Sequence, residues 1–159
     1  MTDPSRTVAA RVLTRAGIPH RLHQHPPIRT HADLHLTGLD VATSAKTLAF
    51  RLPEGRVVLA ALPGTGRLRY GDLARALDVP RSALAPATLE ELSARGMEPG
   101  GVTPICDHPG TTLVVDRALL VHDVLYCGSG SPLVSVELAT ADLLRLFPEA
   151  RVADLTAAL

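Results

Sequence analysis

The chain has no tryptophan, only two tyrosines and two phenylalanines, and a single lysine among its 159 residues. With aromatics at 3% and apolar residues at 46%, its core must be built from Leu, Val, Ala and Ile. That apolar content excludes a disordered chain, which buries too little surface to offset its ordering entropy. The length suits a single domain with a real core, expected to span residues 1–159.

Net charge is also missing: sixteen basic residues balance sixteen acidic ones. Gripping nucleic acid by bulk electrostatics takes a basic surface, because binding is driven by phosphate neutralisation. DNA binding is therefore not expected, while contact limited to the end of an RNA stays compatible. Cysteine is scarce: Cys106 and Cys127 form no Cys-x-x-Cys pair and no disulfide framework. A reducing, cytoplasmic setting is expected. The N-terminal segment has no apolar run of signal-peptide character. Arg or Asp interrupts every apolar stretch before it reaches the length of a membrane span, so no membrane partner is expected.

Several catalytic signatures are absent. There is no G-x-x-x-x-G-K-[ST] phosphate loop, no H-E-x-x-H zinc helix and no G-x-S-x-G nucleophile elbow. Gly64-Thr65-Gly66 and Gly128-Ser129-Gly130 lack the later glycine of a dinucleotide fingerprint.

What is present begins with Lys46. It is the only lysine, so the other fifteen of the sixteen basic residues are arginine. In a chain so biased to arginine, a retained lysine points to a site that needs a compact ammonium on a flexible stem. Chance survival of one surface lysine is the plain alternative.

Five of the seven histidines lie between His20 and His35. His31 and His35 are four apart, as metal-binding pairs are on a helix. No third ligand and no intervening Glu accompany them, so solvated histidines are the simpler reading. No metal or cofactor is expected. His25, just before Pro26-Pro27, is retained as a pocket residue.

Periodicity predicts a helix over 5–16, with Ser5 as a candidate N-cap and Gly17 as its stop. A short strand is expected over 19–25 and a short helix after Thr30. Two apolar runs, 46–52 and 56–62, are split by Pro53-Glu54-Gly55 and read as a hairpin. Helices are expected over 70–77, 86–95 and 140–147, and strands over 111–116, 122–127 and 133–138. Pro86 or Ala87 is placed near the first turn of the 86–95 helix. This order suits an α+β domain with a largely antiparallel or mixed sheet.

Two glycine-rich loops stand out. Pro99-Gly100-Gly101-Val102-Thr103-Pro104 brings two adjacent glycines, which let a ligand approach the main chain. Free N–H groups shown in this way can hold a carbonyl oxygen as it gains charge. Gly128-Ser129-Gly130-Ser131-Pro132 offers hydroxyls that bond a substrate or cap a turn. By composition alone both loops read as ordinary turns.

The order of these features carries a resemblance. His25-Pro26-Pro27 and Thr30 are followed by Ala45-Lys46-Thr47-Leu48, Leu62-Pro63-Gly64 and Tyr70-Gly71-Asp72-Leu73-Ala74. Gly100-Gly101-Val102-Thr103-Pro104-Ile105, Val115-Asp116, Cys127-Gly128-Ser129-Gly130 and Val136-Glu137-Leu138 complete the series. The chain resembles the YbaK family, relatives of the insertion editing domain of bacterial prolyl-tRNA synthetase. The likeness runs from about residue 6 to residue 155. It implies a mixed, largely antiparallel β-barrel-like sheet flanked by helices. It implies hydrolysis of the ester joining a wrong amino acid to the terminal ribose of a tRNA, with attack assisted by the substrate's own hydroxyl or side chain.

Under this resemblance Lys46, Gly100 and Gly101 are the catalytic candidates. His25, Thr30, Pro104, Gly128, Ser129 and Ser135 are the substrate-binding ones. Ser135 stands where some members carry an aspartate, and His20 where others carry a different pocket residue. The expected substrate is a tRNA, foremost tRNA-Pro, bearing Ala, Cys, Ser or Thr, held by its 3′ acceptor end. An aminoacyl-tRNA synthetase is a compatible partner. Three rivals are a non-catalytic module that binds tRNA or a synthetase, a hydrolase of small esters or amides, and a metal enzyme built on His31 and His35.

Overall fold

The computed structural model describes residues 3–27 and 37–157. Thr30, His31 and His35, with the short helix expected after Thr30, lie outside the described residues.

The first helix, α1 (Val8–Ala16), starts at the first apolar residue of its stripe, three residues later than the expected 5–16 span. Thr7, not Ser5, caps it, accepting the Ala10 N–H at 3.3 Å. Ser5 lies in a preceding turn of 3-10 helix, Pro4–Arg6, capped by Asp3. Gly17 ends α1 in the left-handed region at φ 70°, where its N–H meets the carbonyls of Leu13 and Thr14. Val8, Ala9, Val12 and Leu13 form the buried face.

Two sheets follow. The smaller is antiparallel throughout, in the order β1 (Arg21–Gln24), β7 (Val134–Ala139), β6 (Val124–Gly128). The larger is mixed, in the order β4 (Ala85–Pro86), β2 (Ala45–Arg51), β3 (Val57–Pro63), β5 (Thr111–Asp116), β8 (Arg151–Ala153). The β2–β3 hairpin is antiparallel around Pro53-Glu54-Gly55, as the apolar runs predict. β5 joins β3 in parallel, and β8 joins β5 in parallel. The sheets meet where Ser44 bridges Tyr126, giving the barrel-like arrangement.

The unbroken apolar run of β3 has a physical cause. Val57, Leu59 and Ala61 face one core cluster, and Val58, Ala60 and Leu62 face the other. A strand buried on both faces has no polar side to alternate with. The first cluster lies between the sheets, under α1 and α4 (Thr140–Leu146). The second lies under α2 (Tyr70–Leu77), through Leu73 and Leu77.

Three local expectations change. The 86–95 helix is shorter, α3 (Leu89–Ala94), and Pro86 instead pairs with Phe50 as part of β4. Thr88 and Glu91 close a capping box at its start, so a hydroxyl cap outcompetes proline as the starting signal. Strand β8 and the 3-10 turn Arg117–Val121 were not anticipated, because neither carries a readable period. Among the described residues, no helix is long and apolar enough to cross a membrane.

Candidate functional site

Where the small sheet meets the start of β2, a cavity of about 270 Å³ opens. His25, Lys46, Gly100, Gly128 and Ser135, all singled out in the sequence, line it. So do Ser44 and Tyr126, which were not, and Thr47, Cys127 and Ser131, which were named only within motifs or loops.

Lys46 is the second residue of β2, paired with Leu62 of β3. Burial pushes its ammonium below the ordinary value of 10.5, and no carboxylate among the described residues offsets it. An ammonium held this way, half out of water, is poised for an anionic or oxygen-rich ligand.

The two glycine loops are each other's partners. Glu98 N–H donates to the Gly130 carbonyl at 2.8 Å, and Gly130 N–H donates to the Gly101 carbonyl at 2.7 Å. Ala9 N–H, in the first turn of α1, holds the Ser129 carbonyl at 3.1 Å. A Cβ on Gly101 would lie 2.5 Å from the Ser131 carbonyl carbon, so only glycine permits this approach. Gly100 takes φ 83°, which again favours glycine.

This docking corrects three expectations. Gly101 is not a free donor: its N–H is taken by the Glu98 carbonyl at 2.9 Å, and the residue lies outside the cavity lining. Ser129 is fully buried, and its hydroxyl donates to the Val134 carbonyl at 2.6 Å, so it staples the turn instead of meeting a ligand. Pro104 is buried beyond the cavity wall and bounds the loop from inside. The N–H groups of Gly100 and Val102, both cavity-lining residues, donate to no acceptor among the described residues.

His25 and Ser135 meet across the β1–β7 edge. His25 Nδ1 lies 2.9 Å from the Pro26 carbonyl, and Nε2 lies 2.8 Å from Ser135 Oγ. A carbonyl only accepts, so the neutral ring carries its proton on Nδ1. Nε2 then accepts the Ser135 hydroxyl proton. Their separation of 110 positions hides this pairing from any local motif. Beside it, His23 Nε2 meets Glu137 Oε1 at 2.8 Å, and its ring stands edge-on to Tyr126.

Cys127 lines the cavity, but burial pushes its thiol up to about 12. It stays protonated at neutral pH and is no thiolate nucleophile. Thr47 Oγ1 is buried with no hydrogen-bond partner among the described residues. Such a hydroxyl lowers stability unless a ligand meets it. Thr47→Val keeps the shape and removes the orphan, so it should raise unfolding stability by about 1 kcal/mol in urea titration. A loss of stability there would show that the hydroxyl has a partner in solution.

Fold and cavity together define a class: an α+β module whose cleft combines one ammonium, a glycine-loop main chain and an imidazole–hydroxyl pair. Residues 25–146 match the aminoacyl-tRNA editing domain family, and the chain belongs to that family. Among solved structures, it is similar over its whole length to a candidate trans-editing enzyme for prolyl tRNA synthetase. That likeness is 27% identity and TM-score 0.80, covering 99% of this chain and 100% of that one. A protein described only as hypothetical matches at 27% identity and TM-score 0.79, over 94% of this chain and 99% of that one. A scaffold used for epitope backbone grafting by computational design matches at 25% identity and TM-score 0.81, over all of both chains. No curated protein matches the chain.

Proposed function

We propose that this single-domain chain is a free-standing deacylase that hydrolyses the ester of a mischarged tRNA, tRNA-Pro foremost, carrying Ala, Cys, Ser or Thr. The observation that carries the reading is that Lys46 and Gly100, far apart in sequence, line one cavity in a chain of the editing family. An aminoacyl ester is activated, so positioning and oxyanion stabilisation supply much of what its hydrolysis requires. The unspent N–H groups of Gly100 and Val102 suit the carbonyl oxygen, and the Lys46 ammonium suits a ribose or phosphate oxygen of the terminal nucleotide. At about 270 Å³ the cavity lies below the ~300–1,000 Å³ typical of drug-sized ligands, which favours a small aminoacyl group. Steric exclusion rejects larger side chains, whereas losing one methylene contact discriminates by only ~1–3 kcal/mol. Small errors are therefore the ones left for editing.

The test is deacylation of a panel of mischarged tRNAs by the intact protein. Release of a small amino acid from tRNA-Pro in chelator is the expected result, and no release from any member would overturn the reading. A second reading, hydrolysis of small esters unrelated to tRNA, is favoured by the Ser135–His25 hydrogen bond. Uncharged tRNA separates the two, since it should compete only with a tRNA substrate. Capture of a tRNA synthetase by the chain would add a partner to either reading.

A further inference from the structure

We propose that a groove behind the docked glycine loops is a second binding site, for a phosphate monoester held between the guanidiniums of Arg11 and Arg95. The groove, of about 690 Å³, lies between α1, the end of α3 and residues 106–109, and it shares no lining residue with the cavity. Its volume falls within the ~300–1,000 Å³ typical of small-ligand sites. Arg11 and Arg15, one turn apart on α1, line it together. Like charges so placed repel and destabilise a helix. Asp107 relieves Arg15, at 2.9 Å. Arg11 is exposed and has no ion pair among the described residues. Its Nη2 would lie 3.8 Å from a Cβ added to Gly96, which sets it beside the neighbour of Arg95. Arg95 is only 8% exposed, yet its guanidinium meets neutral acceptors alone. Nε donates to Thr111 Oγ1 at 2.8 Å, Nη1 to the Glu91 carbonyl at 3.0 Å and Nη2 to the Gly110 carbonyl at 3.3 Å. Of the five N–H groups of a guanidinium, two remain. The Glu91 carboxylate is engaged elsewhere, by the Thr88 N–H at 2.8 Å and Arg51 at 3.5 Å. A buried guanidinium without a carboxylate is costly, and a bound anion offsets that cost.

The charge of the groove selects the anion. Three arginines against one aspartate leave its lining two charges positive, with His108 neutral, in a chain of zero net charge. Burial pushes the Cys106 thiol on the groove wall up, so it stays protonated near neutral pH and adds no negative charge. A carboxylate brings one charge and two oxygens, enough for one guanidinium fork. A phosphate monoester brings close to two charges and three oxygens, enough for two. Gly96 borders the groove and Gly100 the cavity, so one short loop separates the two sites. The monoester has two possible sources, a free nucleotide or the 5′ end of an RNA. Binding in the groove does not depend on the deacylase reading, and only the RNA source connects the two.

The experiment has two arms on the intact protein. In the first, adenosine 5′-monophosphate and adenosine are titrated at low ionic strength by isothermal calorimetry. Expected is one site for the monophosphate and none for adenosine. Arg11→Gln should weaken binding about tenfold or more, the scale of a lost charge-assisted hydrogen bond. Asp107→Asn frees Arg15 and removes the one acid, so it should tighten binding severalfold, a gain that a merely structural role does not produce. Arg95→Lys should weaken binding, and if it loses its native circular dichroism the Arg11 and Asp107 variants decide. Lys46→Met should bind as the wild type does. In the second arm, filter binding compares uncharged tRNA-Pro with and without its 5′-phosphate. Affinity lost on dephosphorylation in the wild type, but not in Arg11→Gln, assigns the monoester to RNA and upholds the site. Equal tRNA affinities, with the mononucleotide bound through Arg11, assign it to a free nucleotide and also uphold the site. Neither probe depending on Arg11, or mononucleotide binding abolished by Lys46→Met, overturns it. Phosphate bound through Arg11 in a protein that deacylates no tRNA leaves the groove standing and overturns the deacylase reading alone.

Discussion

Lys46→Met is expected to lower deacylation about 10²-fold, the scale of losing one preorganised charge-stabilising donor, while leaving the protein no less stable. The two halves of this result share one cause. Lys46 sits half out of water with no carboxylate beside it among the described residues, so its charge costs stability in the empty protein. Methionine keeps the stem and removes that cost. The pH dependence has a definite sign. The folded-state value lies below the ordinary 10.5, so between the two the unfolded chain binds more protons. The contribution of Lys46 to stability therefore rises with pH across that window, and below it the penalty is full. The stability advantage of Lys46→Met should be largest near neutral pH and shrink as pH approaches the upper edge. Urea unfolding at several pH values, alongside single-turnover deacylation, checks both halves. An unchanged deacylation rate would remove Lys46 from the chemistry.

Gly128→Ala should lower stability by ~3 kcal/mol and abolish the cavity's activity. An added Cβ would overlap the Val102 carbonyl oxygen, a main-chain atom that no rotamer change can move aside. That carbonyl belongs to the loop tied down by the Glu98–Gly130 and Gly130–Gly101 hydrogen bonds. Relief requires separating the loops, and these loops are two walls of the same cleft. Gly71→Ala is the control: it sits in α2 with nothing within 4 Å of an added Cβ. It should be stabilising by about 0.5–1 kcal/mol, because alanine loses less entropy in a helix. Equal effects of the two substitutions in urea unfolding would refute the docked-loop account.

The elements that were legible are those whose signal is local. The helix over 70–77 matches α2 residue for residue, because its stripe and its Pro80 terminator lie within one window. The β2–β3 hairpin was readable from Pro53-Glu54-Gly55 between two apolar runs. Lys46 was legible through composition, as the one exception to arginine. The misreadings have a common physical origin. Gly100 and Gly101 look equivalent in sequence, yet Gly101 faces the 128–131 turn with its N–H already taken, and Gly100 faces the cavity. Ser129 and Ser135 both read as available hydroxyls, but one is bonded to Val134 inside the turn and the other meets His25 at the wall.

Taken alone, the amino-acid order determined the element types, the α+β class, the family likeness and the lone ammonium, since each depends on neighbours within a turn or a strand. Only the tertiary structure decided which amides stay unspent, which serine gains an imidazole, and that Thr47 is buried without a partner among the described residues. Those outcomes depend on which backbone groups from distant segments meet first. A hydrogen-bond donor used in holding the fold together has nothing left to offer a substrate.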